Sequence, residues 1–192
     1  MIAIEPKRTA LLAMDFQTEI VARLGQTAAA AVERAAALIA AARRAGVEVI
    51  HVVVGFRPGY PEVSPRNVAF STIAGTGRFV TGVSGAEIAP PMRPADGEVV
   101  VVKHRVSAFA GTDLEMILRA KGIDTLILTG LATSGVVLST VRAAADSDHR
   151  LFVVKDACAD ADDEVHRVLT EKLFPRQAAV LAAAELAPAL GG

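Results

Sequence analysis

Three places in the chain set polar residues directly after an apolar run, the position from which a side chain reaches a ligand at the end of a sheet. Asp15 follows Thr9 to Met14 (TALLAM), and Lys103 follows Glu98 to Val102 (EVVVV). The third, Gly130 to Val137, reads GLATSGVV between Thr125 to Thr129 (TLILT) and the helical-looking stretch from Leu138 to Ala144. If Asp15 and Lys103 face one crevice, they form either an acid with its electrostatic partner or a buried ion pair that only orders two strand ends. The turn is of the strand-to-helix kind that mounts nucleophiles, because a helix start offers free N–H groups to an oxyanion. No strong nucleophile stands at its tip. Ala132 lies two before Ser134, so a Gly-x-Ser-x-Gly pattern is missing, and Thr133 and Ser134 read as capping hydroxyls.

Other candidate chemistry is weaker. His51 lies within an apolar run and reads as a core residue. His104 stands beside Lys103, and neither has a partner at metal-ligand spacing; His149 and His166 read as surface positions. No bound metal is expected. Cys158, the single cysteine, reads as a small buried residue rather than a reactive thiol. Gly75-Thr76-Gly77-Arg78 follows no strand and opens no clear helix, so it supports no nucleotide site, and no cofactor is expected.

The elements that must position these residues are legible as runs. Strands are expected at Thr9 to Met14, Val47 to Val54, Glu98 to Val102, Thr125 to Thr129, Leu151 to Val154 and Ala178 to Ala182. The first four are nearly continuous in apolar residues, the mark of strands covered on both faces. Helices are expected at Thr27 to Ala45, Thr112 to Lys121, Gly135 to Asp146 and Asp162 to Leu173. Gly46 and Gly122 serve as stops, and a capping box is read from Thr112 and Glu115. The alternation predicts an α/β fold, a three-layer αβα, Rossmann-like arrangement of six mostly parallel strands with helices on both faces. Gly55 to Gly97 breaks the rhythm and reads as a long excursion with one short helix around Ser84 to Ile88, forming a lid or binding wall.

Composition narrows the class. The 192 residues fit one domain spanning 1–192, and 52% hydrophobic content excludes a disordered chain. A net charge of −1 with scattered basic residues argues against a nucleic-acid partner. Glu33, Arg34, Arg43 and Arg44 interrupt the alanine-rich stretch, so no membrane span or membrane partner is expected. The N-terminus lacks the pattern of a signal peptide, and a cytoplasmic location is expected.

Together, the run Ala10 to Gln17 containing Asp15, the run Lys103 to Leu114, the turn Gly130 to Thr133 and the pair Asp156-Ala157 resemble the isochorismatase-like hydrolases. This cysteine hydrolase superfamily includes nicotinamidases and N-carbamoyl amidohydrolases, and the resemblance covers nearly the whole chain. It implies an aspartate and lysine at the positions of Asp15 and Lys103, a cis peptide at Leu131–Ala132, and a nucleophilic cysteine at the position filled here by Val136. Valine forms no thioester, so the amidase route of the superfamily is closed. The loop Gly55-Phe56-Arg57-Pro58-Gly59-Tyr60 also lacks the Asp and His that hold a metal in nicotinamidases.

Isochorismatases proper keep the aspartate and lysine and need no cysteine. The resemblance therefore implies a hydrolase of a small molecule with Asp15 as general acid, Lys103 as its partner and water as nucleophile, acting on an isochorismate-type vinyl ether. Arg57, Arg66 and Arg105 are candidates for binding carboxylates. Phe16, Phe56, Tyr60 and Phe109 are candidates for an apolar pocket floored by Val136 and bounded by Leu131, Ala132 and Thr133. A homodimer or higher homo-oligomer is expected, as in most of the resembling family, with the alanine-rich helix packing against a twin. The competing reading is a catalytically inactive ligand-binding or interaction protein on the same scaffold.

Overall fold

The computed structural model describes residues 2–191. Six strands form its sheet: β1 (Thr9–Met14), β2 (Glu48–Val54), β3 (Val99–Lys103), β4 (Thr125–Leu131), β5 (Arg150–Ala159) and β6 (Ala179–Leu181). The order across the sheet is β3-β2-β1-β4-β5-β6, and every pairing is parallel. The chain builds outward from β1 to β3, then returns to the other side of β1 and builds outward again. The switch point therefore lies between β1 and β4, where α/β sheets bind ligands at the carboxyl ends of the strands.

Alternate residues of each central strand enter two separate cores. Leu11 and Ala13 of β1 face one helical layer, whereas Ala10, Leu12 and Met14 face the other. On the first face lie α1 (Thr18–Leu24), α2 (Gln26–Ala45) and α7 (Ala183–Leu190); on the second lie α4 (Leu114–Ala120) and α5 (Leu138–Asp146). In α2 the buried residues Ala28, Ala31, Val32, Ala35, Leu38, Ile39 and Ala42 recur at helical spacing, and the small side chains let the helix lie close to the sheet. The alanine face assigned above to a twin is thus occupied by the chain's own sheet and α7. Among the described residues, no helix is long and apolar enough to cross a membrane.

Several boundaries differ from the sequence reading. β5 continues past Val154 to Ala159, resuming in a shifted register in which Gly130 pairs with Cys158. Its interior Asp156 accepts the Ala183 amide at 2.7 Å and pairs with Arg34 at 3.1 Å, so this landmark ties α7 and α2 to the sheet. The capping box is absent: α4 begins at Leu114, and the Thr112 hydroxyl turns back to donate to the Ala108 carbonyl at 2.6 Å. The turn after β4 is a wide π turn, Thr133–Val137, and α6 (Asp163–Val168) runs into a second one, Leu169–Leu173.

The excursion from Gly55 to Gly97 forms a third apolar cluster of Val54, Phe56, Tyr60, Ile73 and Phe79. It contains the expected short helix at Ser84–Ala86, and also α3 (Val68–Ser71), which the sequence does not announce. Gln17 ties the start of the excursion to a point near Ala86: its amide donates to the Val54 and Ala86 carbonyls at 2.9 and 2.7 Å, and its oxygen accepts the Val54 amide at 2.9 Å. Three backbone bonds, two of them donated, fix this buried amide in one orientation.

Candidate active site

β1 and β4 approach very closely at the switch point. A Cβ on Gly130 would stand 2.8 Å from the Met14 carbonyl oxygen and 3.0 Å from Met14 Cβ, so only glycine fits. This approach brings the end of β1, carrying Asp15, beside the turn that follows β4. Asp15 adopts φ 58°, a left-handed conformation uncommon outside glycine, and donates its amide to the Val52 carbonyl at 2.8 Å. The peptide Leu131–Ala132 is cis, as the family resemblance implies.

Lys103 ends β3, two strands away, and reaches over the end of β2. Its Nζ lies 2.9 Å from Asp15 Oδ2 and donates to the Arg105 carbonyl at 3.1 Å. Both side chains are nearly fully buried. Asp15 Oδ1 makes no hydrogen bond among the described residues. Burial pushes the Asp15 carboxyl above the usual carboxylate range, and the Lys103 ammonium only partly opposes this.

The pair forms part of the wall of a cavity of about 350 Å³, otherwise lined mainly by apolar groups including Val54, Phe70, Ile73, Phe79, Leu131, Ala132 and Val136. Asp15, Lys103, Leu131, Ala132 and Val136 are thus brought together as the sequence suggests. The aromatic residues are not those expected. Phe16 turns into the core beneath α2, and Phe109 packs beside His149 at a centroid distance of 6.0 Å. Phe56 and Tyr60 stand one layer back, Phe56 touching both Tyr60 and Phe70 at 5.6 Å, so they support the aromatic wall without lining it.

The arginines are displaced likewise. Arg57 pairs with Glu62 at 2.5 Å near the surface, and Arg105 folds its guanidinium onto the His104 carbonyl at 2.6 Å. Neither they nor Arg66 line the cavity; Arg23 and Arg78 do. Helical spacing from Glu19 hints at Arg23. Nothing in the glycine-rich stretch around Arg78 encodes its proximity to α1.

The turn itself is held from outside. Thr133 Oγ1 and His166 Nδ1 lie 2.8 Å apart, and Asp160 accepts the Ser134 amide at 2.6 Å. Neither Thr133 nor Ser134 caps a helix through its side chain, in contrast to the sequence reading, because α5 starts only at Leu138 and the intervening wide turn takes its support from the α6 side. His166 is correspondingly half-buried rather than a surface residue, and burial lowers its pKa. Cys158 is buried on β5, outside the cavity wall, with its thiol pushed up to about 12 by desolvation.

Comparison with known proteins agrees with this geometry. Residues 9–185 match the Isochorismatase domain. An uncharacterised isochorismatase family protein of Escherichia coli O157:H7 is 34% identical over 99% of this chain and 100% of its own length. The crystal structure of an isochorismatase family protein from Desulfovibrio vulgaris superposes with a TM-score of 0.86 at 31% identity, covering 96% of this chain and 99% of that one. That of N-carbamoylsarcosine amidase from Thermoplasma acidophilum gives 0.76 at 32% identity, over 92% and 96% of the two chains. With its doubly wound parallel sheet, its turn at the switch point and these matches along nearly its whole length, the chain belongs to the isochorismatase family of hydrolases.

Proposed function

We propose that the protein hydrolyses a small metabolite without a cysteine nucleophile, using Asp15 as general acid and base, Lys103 as its electrostatic partner and water as the nucleophile. One observation carries this reading: Asp15 lines the cavity with its Oδ1 buried and without a hydrogen-bond partner among the described residues, while Oδ2 is anchored on Lys103. A carboxyl raised by burial yet held next to a cation is suited to exchange a proton with a bound substrate. Val136 fills the place where the family resemblance expects a thiol, and contributes only an apolar surface.

For a vinyl ether, the Asp15 carboxyl gives its proton to the β-carbon of the double bond, leaving an oxocarbenium at the α-carbon. Water adds there and returns a proton to Asp15, and the hemiketal collapses to a ketone and an alcohol. The reading extends to one domain acting in the cytoplasm as a homo-oligomer.

The test is turnover of a panel of enol ethers, esters and amides by the purified protein and Asp15→Asn. General acid–base catalysis contributes roughly 10²- to 10⁴-fold, so the variant is expected to lose that much on any substrate the parent hydrolyses. Equal rates, or no turnover by either protein, sink the proposal. The competing reading, a binder with no chemistry, is favoured by the apolar Val136 surface and predicts a ligand that raises the melting temperature but is not consumed.

A further inference from the structure

Arg23 and Arg78 share a single carboxylate. Arg78 Nε donates to Glu19 Oε1, and Arg23 Nη2 lies 3.6 Å from the same oxygen. The Arg78 guanidinium is oriented over the Phe79 ring, 5.0 Å from its centroid, and its two terminal amino groups make no hydrogen bond among the described residues. Both arginines line the cavity, and both are more exposed than the Asp15–Lys103 pair at its buried end. Charge counting is then simple. At the more exposed end of the cavity Glu19 cancels one arginine, and one positive charge is left there facing apolar groups.

We propose that the cavity takes a substrate with a single carboxylate, held by Arg78 and Arg23, its apolar body against Phe70, Phe79 and Leu131 and its reacting end at Asp15. This names the substrate class for the hydrolase described above and rests on that reading. A guanidinium with two unused N–H groups matches a carboxylate in the bidentate manner. The one positive charge in excess at Arg23 and Arg78 selects one carboxylate there, and a volume of about 350 Å³ suits a small molecule with a short apolar or aromatic body.

Calorimetric titration with phenylacetate and phenylacetamide, which share one shape and differ in charge, tests the assignment. A charge-assisted hydrogen bond predicts that the parent protein binds phenylacetate about tenfold more tightly than the amide. Asp15→Asn is expected to retain that preference and Arg23→Gln/Arg78→Gln to lose it. Glu19→Gln, which removes the competing carboxylate, is expected to tighten phenylacetate binding, an effect opposite in sign to any loss of folding. If Arg78→Gln unfolds the wall, the exposed Arg23→Gln alone must weaken phenylacetate binding while Glu19→Gln strengthens it.

No binding of phenylacetate, equal binding of acid and amide, or a preference that survives loss of both arginines overturns the assignment and leaves the Asp15 chemistry untouched. A preference lost with the arginines, found together with full turnover by Asp15→Asn, upholds the assignment and removes that chemistry.

Discussion

Lys103 Nζ stands 2.9 Å from Asp15 Oδ2 across the end of the strand that separates them, with both side chains nearly fully buried. Breaking such a pair on one side strands the other charge. Lys103→Met is therefore expected to destabilise the fold by about 3–5 kcal/mol at pH 8. The carboxyl of Asp15 is already raised by burial, and without the lysine it rises further. A carboxyl whose folded pKa exceeds its unfolded value favours the folded state at low pH and loses that advantage as pH rises through the folded value. The penalty should thus be smaller at pH 5 than at pH 8, as urea unfolding at the two values will show; a penalty that grows on acidification contradicts the assignment.

Glu98 behaves in the opposite sense. Although burial opposes it, hydrogen bonds from Arg43, the Ala95 amide and His51 hold its carboxyl at about 2. Its contribution is complete above the unfolded carboxylate value and is lost as pH falls toward 2. After allowance for solvent screening, we expect wild type to lose about 1–2 kcal/mol more than Glu98→Gln between pH 6 and pH 3. Parallel pH profiles for the two proteins would contradict this.

Gly130→Ala places a methyl group against the Met14 carbonyl, where backbone rather than a flexible side chain must yield. Overpacking of this kind costs about 1–3 kcal/mol. Because the displaced strand carries Asp15, activity should fall by a larger factor than occupancy of the folded state, measured as turnover per folded molecule. An active Ala variant of unchanged stability would mean that the strands part without consequence.

Val136→Cys exchanges side chains of similar volume in the cavity wall and should fold normally. Iodoacetamide at pH 8 is expected to label this variant and spare wild type, whose only thiol is buried with a pKa of about 12. Rapid labelling of native wild type would show that Cys158 is not enclosed. Gain of esterase or amidase activity by the variant would show that the turn still supports a nucleophile.

The sheet is legible because β1, β2 and β4 are buried on both faces and leave continuous apolar runs, and Asp15 and Lys103 because each ends an apolar run. β3 reads as covered on both faces too, but as an edge strand it leaves Val100 and Val102 exposed. The full length of β5 is hidden because Lys155-Asp156 looks like a strand end, and its register shift across from Thr129 is a tertiary event. Adjacency to Asp15 suggests that Phe16 belongs to the site, whereas the left-handed backbone at Asp15 sends the following side chain toward α2. Arg78 and Phe79 sit among glycines with no periodicity, so nothing local encodes which wall they form. Their place is set by packing on Phe56 and by the charge of Glu19.

Gln17 gives the excursion a property of a different kind. Since one side chain binds the backbone where the excursion leaves the sheet and again near Ala86, the segment between is a loop closed at its base, and its inner stretch from Val68 to Phe79 supplies much of the cavity wall. Such a segment behaves as an interchangeable cassette: it can be lengthened, shortened or rewritten to admit a different molecule while the acid, the lysine and the sheet that holds them keep their places.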